Sequence, residues 1–337
     1  MDYYIGLDAH SSTCTFVTLN ASGKEVYRNK VPTSEKEIKG VITRFRGKVA
    51  LALEESTLAK WVHAVTVNLC EKVIVCHPGY LPPSPGSKTD YRDSFKLATE
   101  LMANRLIPVY HDSENPYVKI RSLVSGYQDV NAEIVRTKNR LKSIFRCEGI
   151  RKLGSKVYSD PSQINELQND FHQFQADALM FQIQTLNEVK ARYLEGFKEN
   201  ALQYEIIRKL KTIPEVSDVR ANIIAAYTCD GRRFGNKHQY WAYAGLVRYH
   251  QISDGQSYGS KKIHGRNELK TAFIGMAEGV LLHNNPLRAH YDRLRSKGKD
   301  HKAARKSLAR KLAAITLAIF KKNVNYDMRK ALEDIKK

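Results

Sequence analysis

Four carboxylates stand where they could share one divalent cation. Asp8 follows the apolar run Tyr3-Tyr4-Ile5-Gly6-Leu7, and Glu54 follows a second run, Val49-Ala50-Leu51-Ala52-Leu53. Asp90 and Asp93 lie in Ser87-Lys88-Thr89-Asp90-Tyr91-Arg92-Asp93. An acid at the end of each of two neighbouring strands, and two more three residues apart at a helix start, can converge on a single point. Like charges gathered this way repel unless a cation neutralises them. The spacing therefore suggests a Mg²⁺ site, with Mn²⁺ as a substitute, and strand cleavage of a phosphodiester as its chemistry. Glu55 competes with Glu54, because successive strand residues face opposite ways. Lys88, just before the helix, is placed either to hold a phosphate or simply to meet solvent.

The elements that must position these acids alternate over residues 1–110. Strands are expected at Tyr3–Asp8, Thr13–Leu19, Glu25–Lys30, Val49–Leu53 and Val73–Cys76, with turns at Ala9-His10-Ser11-Ser12 and Asn20-Ala21-Ser22-Gly23. A helix is expected from Ser34, with capping-box spacing to Glu37, to about Arg46. Others are expected over Leu58–Cys70 and from about Thr89, after a loop rich in proline between Pro78 and Pro85. The order βββαβαβα, three antiparallel strands followed by βα units on one sheet, is the ribonuclease-H-like arrangement. A lone Asp after Ile-Gly-Leu also opens the phosphate strand of actin-like ATPases, but a repeated lobe and Gly-rich phosphate loops are missing.

Residues 111–211 read as a helical connector. Ile120, Leu123, Tyr127, Val130, Ile134, Leu141 and Ile144 keep a heptad spacing interrupted around Thr137 and Lys138, and Leu186, Val189, Tyr193 and Phe197 continue it after a break near Ser159-Asp160-Pro161. This fits a coiled coil, within or between chains, or two helices packed on the domain's own core. Residues 212–337 form a third, mainly α region. It contains apolar helical sequence through Tyr227, an apolar segment at Tyr240–Leu246, and a polar loop or hairpin over His250–Asn267. Helices are expected at Leu269–His283 and, with a basic face, from about Lys302.

The 337 residues carry 55 Lys and Arg against 35 Asp and Glu, a net charge of +20 that favours a polyanionic partner. The cations concentrate along Arg136, Lys138, Arg140, Lys142 and Arg146, and again from Arg293 through Lys302, Arg305, Lys306 and Arg310. Tyr80, Tyr91, Tyr240, Trp241 and Tyr249 stand near basic residues and either stack on bases or pack in cores. No apolar run approaches the ~20 residues of a membrane span, and no signal peptide is visible. The five cysteines are scattered without a Cys-x-x-Cys pair, so neither zinc nor a disulfide framework is expected and a cytoplasmic location fits.

Gly6-Leu7-Asp8, Leu53-Glu54 and Lys88-Thr89-Asp90-x-x-Asp93 resemble the DEDD signature of the bridge-RNA-guided insertion-sequence transposases and the related site-specific DNA invertases. Ala242-Tyr243-Ala244-Gly245-Leu246-Val247, Ser253-Asp254-Gly255 and Lys262-x-x-Gly265-Arg266 are similar to that family's second block, and Ala304-x-x-x-Leu308-Ala309-Arg310-Lys311-Leu312 to its closing helix. The resemblance implies a RuvC-like catalytic domain (1–110), a coiled-coil connector (111–211) and a C-terminal transposase domain (212–337) bearing a nucleophilic serine. It also implies donor and target DNA, a structured non-coding guide RNA, and dimers assembling to tetramers in which one subunit's acids join another's serine. The serine falls on Ser253, with Ser257 and Ser260 close by; the family's Ser-Ser-Gly-Gly-like run is reduced here to Ser253-Asp254-Gly255. Its base would be His250, His264 or the metal cluster, and Arg248, Lys261, Lys262 and Arg266 could cradle the scissile phosphate. The family's Ile-Pro-Gly-x-Gly element is Ile213-Pro214-Glu215-Val216-Ser217, with both glycines replaced. Other readings are a hydrolytic junction-resolvase-like nuclease in which Ser253 is only a turn residue, and a scaffold whose acids are structural.

Overall fold

The run that leads into Asp8 forms the central strand β1 (Tyr3–Ala9) of a five-stranded sheet. In this computed structural model the described residues are 1–77, 89–109, 115–151, 154–253, 256–263, 265–283 and 285–336, and they fall into two units, Met1–Glu114 and Asn115–Lys337. In the first unit, β2 (Thr13–Asn20) and β3 (Glu25–Pro32) add antiparallel on one side of β1. On the other side, β4 (Val49–Glu54) and β5 (Lys72–Cys76) add parallel, so the order is β3-β2-β1-β4-β5.

Side-chain alternation sorts the sheet into two unlike faces. Ile5, Leu7, Leu51 and Leu53 point to a core closed by α1 (Glu35–Ile42) and α2 (Ala59–Thr66). Their neighbours Ala50 and Ala52 point the other way, against Leu97 and Leu101 of α3 (Asp90–Met102). Small residues on this second face let a helix backbone come close. Gly6 carries that to its limit, since a Cβ there would lie 1.8 Å from the Ser94 carbonyl oxygen. The Ser94 hydroxyl in turn donates to the Thr15 carbonyl at 2.9 Å.

Two helices are shorter than expected. Ser34 caps α1, accepting from the Glu37 amide at 3.3 Å, but the helix stops at Ile42 rather than Arg46. Phe45 leaves the helix to cover the sheet, its ring 5.0 Å from that of Tyr3 and 5.7 Å from that of Tyr27. In α2 the helix ends at Thr66, whose hydroxyl donates to the Val62 carbonyl.

The second unit begins with two long helices, α4 (Pro116–Cys147) and α5 (Asp170–Gln203). They run antiparallel: Gly126 faces Tyr193 and Leu123 faces Gly196 at one end, while Leu141, Ile144 and Phe145 meet Ala176 and Ile183 at the other. The break opens at Cys147, earlier than expected, and short 3-10 turns at Lys156–Tyr158 and Pro161–Glu166 lie between the two helices. Thr137 does not interrupt the apolar stripe. It is fully buried and continues the spacing Ile134, Thr137, Leu141, Ile144.

The following helices are α6 (Glu205–Lys211), α7 (Asp218–Thr228), α8 (Lys237–Tyr243), α9 (Asn267–Leu282), α10 (Arg288–Ser296), α11 (His301–Lys322) and α12 (Met328–Lys336). From Ala221 to Thr228 every residue of α7 is buried, as befits a helix apolar on all sides. α9 and α11 pack in the same core as α7 and the inner ends of α4 and α5. The polar segment after Leu246 is a hairpin of β6 (Arg248–Ser253) and β7 (Gln256–Lys262). Two departures have clear causes. Glu215 takes φ +69°, the conformation that a glycine would adopt without strain, and Ser217 serves as the N-cap of α7, accepting from the Arg220 amide. Tyr240 is fully buried with its hydroxyl 2.7 Å from that of Thr228, and so is core rather than a stacking surface. Among the described residues no helix is long and apolar enough to cross a membrane.

Candidate active site

Asp8, Glu54, Asp90 and Asp93 line one cleft of about 380 Å³ on the α3 side of the sheet, with Ala9, His10, Glu55, Ser56, Thr89 and Leu97. Strand pairing explains the first two. Leu7 stands opposite Leu53, so Asp8 and Glu54 follow at adjacent strand ends. Pleat parity explains their direction. Asp8 shares the face of Gly6, and Glu54 shares the face of Ala50 and Ala52, so both acids turn toward α3. Glu55 follows one residue later, at the rim of the same cleft, its amide donating to the Cys76 carbonyl at 2.8 Å. Asp90 and Asp93 occupy the first turn of α3, which Thr89 caps by accepting from the Arg92 amide. The close approach at Gly6 sets that turn beside β1.

The cleft is electrostatically tense. All four carboxylates are half-buried. Burial lifts the Asp8 carboxyl above the ordinary carboxylate range; His10 partly offsets this, and the charges of Asp90 and Asp93 add to it. Burial also pushes the Cys76 thiol up to about 12, and the next contribution comes from Glu54. Asp90 moves the opposite way, held below its usual range by Lys30, whose ammonium lies 2.8 Å from Asp90 Oδ2. A carboxyl that resists ionisation beside one held in its charged form is the state a divalent cation relieves. The donor set fits such an ion: ligand atoms of Asp8, His10 and Asp90 all lie within 4.8 Å of one another.

His10 and Lys30 were not singled out as site residues from sequence. His10 lies just past the end of β1, in the turn that the sequence marks, and no spacing rule assigns it to the acids. Its Nε2 lies 3.1 Å from Asp8 Oδ2 and 3.8 Å from Asp90 Oδ1. Lys30 reaches the site because β3 pairs with β2 and β2 with β1: Lys30 stands opposite Thr15, and Thr15 opposite Asp8. Only strand register reveals that row.

Ser253 is the exposed last residue of β6, paired with Gln256 across the hairpin. Ser260 stands opposite His250, and its hydroxyl accepts from Arg248 at 3.3 Å. Lys88, Tyr80, Asp254, Gly255 and His264 lie outside the described residues, as do the side chains of His250, Ser257 and Lys262. Tyr249, Ile252 and Tyr258 are all exposed, so the hairpin presents apolar and aromatic surface beside Arg248 and Lys261.

The basic residues divide by environment. Arg136 and Arg140 both pair with Glu133 at 3.3 and 3.6 Å, Lys138 and Lys142 lie over the ring of Tyr158, and Arg146 is exposed. On α11, Lys302 is exposed and Arg305 pairs with Glu278. Lys306 and Arg310 are held below their ordinary range, both chiefly by burial, and Lys306 further by the charges of Lys270, Arg310 and Arg248. Trp241 packs here, its indole N–H donating to the Arg310 carbonyl at 2.7 Å. Arg266 is half-buried just before α9, its amide donating to the Tyr243 carbonyl. Crowded, partly desolvated cations of this kind are stabilised by a polyanion.

Residues 5–147 match the transposase model of the DEDD-type IS110 group, a range that contains all four acids. Residues 207–292 match the model described as transposase IS116/IS110/IS902 family, a range that contains Ser253. The chain is also 24% identical, over 390 aligned positions, to the "Insertion element IS110 uncharacterized 43.6 kDa protein" of Streptomyces coelicolor, with 97% of this chain and 96% of that one covered. With two matches in order over more than half of its length, and a relative alignable almost end to end, the chain belongs to the IS110-type family of transposases, enzymes that recombine DNA.

Proposed function

We propose that this transposase cleaves and rejoins donor and target DNA through a Mg²⁺ site made by Asp8, Glu54, Asp90 and Asp93, with Ser253 as nucleophile. The supporting observation is the convergence of four half-buried carboxylates, from β1, β4 and the first turn of α3, on one cleft. The β3-β2-β1-β4-β5 sheet with its helices is read as RuvC-like (residues 1–110), α4 and α5 as the coiled-coil connector (111–211), and the remainder as the transposase domain (212–337).

Asp8, Glu54, Asp90 and Asp93 would hold Mg²⁺, which would supply positive charge for the attacking and leaving oxygens. Asp8 and Glu54 hold the strand-end side of the cleft; Asp90 and Asp93 hold the helix side, with Lys30 orienting Asp90. In the serine step, the Ser253 hydroxyl oxygen bonds to the scissile phosphorus and the bridging ester oxygen departs with a proton. One phosphodiester becomes a phosphoserine diester. A second DNA hydroxyl then displaces Ser253, whose oxygen regains a proton, so no phosphoanhydride is required for rejoining. Sequence choice is assigned to a structured bridge RNA, and the working assembly to dimers that form a tetramer in the cytoplasm; inversion by the same chemistry is the variant reading.

The test is a strand-exchange assay with DNA and the RNA encoded beside the gene. Asp93→Asn should bind DNA and fail to cleave it, whereas full cleavage by this variant refutes the metal assignment. Protease digestion after the reaction should leave a peptide on DNA, and Ser253→Ala should abolish that adduct. Cleavage that persists in Ser253→Ala without any adduct favours the hydrolytic nuclease.

A further inference from the structure

The geometry points to His10 as a nitrogen ligand of the divalent ion held by Asp8 and Asp90, which tilts the site from Mg²⁺ toward first-row transition ions such as Mn²⁺. This rests on the reading of the cleft as a metal centre and adds a ligand outside the four acids.

Three observations carry it. First, spacing. Ligands at about 2.1 Å from an octahedral ion stand about 3.0 Å apart along an edge and about 4.2 Å apart across it. His10 Nε2 lies 3.1 Å from Asp8 Oδ2 and 3.8 Å from Asp90 Oδ1, within that range. Second, division of labour on Asp90. Its Oδ2 is taken by Lys30 at 2.8 Å, while Oδ1 is the oxygen turned to His10. Lys30 thus fixes which Asp90 oxygen faces the cleft. Third, His10 is held by its backbone, although its side chain is more than half exposed. Its amide donates to the Thr13 carbonyl at 2.9 Å, and its carbonyl accepts from the Thr33 hydroxyl at 2.6 Å. These bonds fix the Cα from which the imidazole reaches Asp8 and Asp90, so the ring starts close to a ligand position.

The consequence is chemical. Mg²⁺ prefers oxygen donors in near-ideal octahedra and gives up water reluctantly. Imidazole is a softer donor that suits transition ions. A site of carboxylates joined by one imidazole therefore gains more from Mn²⁺ than a site of carboxylates alone.

The experiment uses the purified full chain and Mn²⁺ itself. Free Mn²⁺ is counted by electron paramagnetic resonance during titration, Mg²⁺ is followed by competition, and pulsed spectra read nitrogen coupling on bound Mn²⁺. The wild type should show ¹⁴N coupling. His10→Ala and His10→Gln should lose it, bind Mn²⁺ about tenfold more weakly, the lower end of what a lost metal-site partner costs, and bind Mg²⁺ within about twofold of wild type. Absence of ¹⁴N coupling in the wild type, or unchanged Mn²⁺ affinity in both variants, reduces His10 to a hydrogen-bond partner of Asp8 and overturns the inference. Asp8→Asn separates the two levels. If it loses Mn²⁺ while the His10 variants do not, only the role of His10 falls. If it also binds Mn²⁺ normally, the metal centre itself falls.

Discussion

A side-chain carbon on Gly6 would collide with the backbone of Ser94, whose carbonyl oxygen lies 1.8 Å from where that carbon would be. The opposing atoms belong to the helix backbone, the Ala98 amide nitrogen at 2.6 Å among them, so no side chain can swing aside. Residue 6 thus controls how closely α3 approaches β1, and with it the distance between Asp8 and the two acids of α3. Gly6→Ala should cost about 1–3 kcal/mol in denaturant unfolding, the usual range for overpacking. It should also reduce Mg²⁺-dependent strand cleavage about a hundredfold or more, since a displacement near 1 Å suffices for that. An active, fully stable Gly6→Ala protein contradicts the role given to this contact.

Glu54 and Glu55 separate by strand parity. Glu54 continues the face of Ala50 and Ala52, while Glu55 comes after the end of β4. Glu54→Gln should lower cleavage about a hundredfold or more, the scale of losing one electrostatic stabiliser of a transition state. Glu55→Gln should stay near wild type. Equal losses in single-turnover cleavage rates contradict the parity assignment.

Asp8 is lifted above its ordinary range by burial, then by the charges of Asp90 and Asp93. A raised folded-state pKa means the fold favours the protonated form. That contribution is full at low pH and disappears as pH rises through the folded value, so ionised Asp8 is a cost at neutrality. In EDTA at pH 7, Asp8→Asn should therefore melt above the wild type. The gap should close as the pH falls toward the ordinary value of 3.8. Excess Mg²⁺ should reverse the order, because only the wild type gains from binding. Melting curves across pH, with and without metal, check all three statements.

Lys306 and Arg310 stand crowded by like charge or burial. If each meets a phosphate, replacing either by Gln should weaken nucleic-acid binding uniformly across sequences. The slope of log affinity against log salt should fall by about 1 per lost contact. Filter-binding titrations at several salt concentrations read this directly, and an unchanged slope removes the residue from the interface.

Thr137 is buried between α4 and α5, and its hydroxyl has no hydrogen-bond partner among the described residues. Thr137→Val should stabilise the chain by about 1 kcal/mol, the cost of an unmet buried hydroxyl. Destabilisation in urea unfolding shows that the hydroxyl is in fact satisfied.

Much of this was legible before any coordinates. Apolar runs bounded by turn residues carry strands, so all five strands of the first sheet lie close to where alternation puts them. The four acids were legible as candidates because each stands at an expected strand end or helix start. Helix ends were less legible. The stop of α1 at Ile42 follows from Phe45 packing on Tyr3 and Tyr27, a contact no local pattern announces. The burial of Thr137 was hidden because a lone hydroxyl looks polar in sequence, while its place in the stripe is set by the facing helix.

By itself, the order of residues determined the alternation of strands and helices, the excess of cations, and the four carboxylates as candidates for one centre. These properties are local or additive along the chain, and periodicity and composition carry them. Only the tertiary structure decided that Glu54 rather than Glu55 shares the face of Asp8, that His10 and Lys30 join the acids, and that Gly6 sets their spacing. Each of these depends on register or on the approach of a helix to a sheet. Such relations exist between segments distant in sequence, and no single segment contains them.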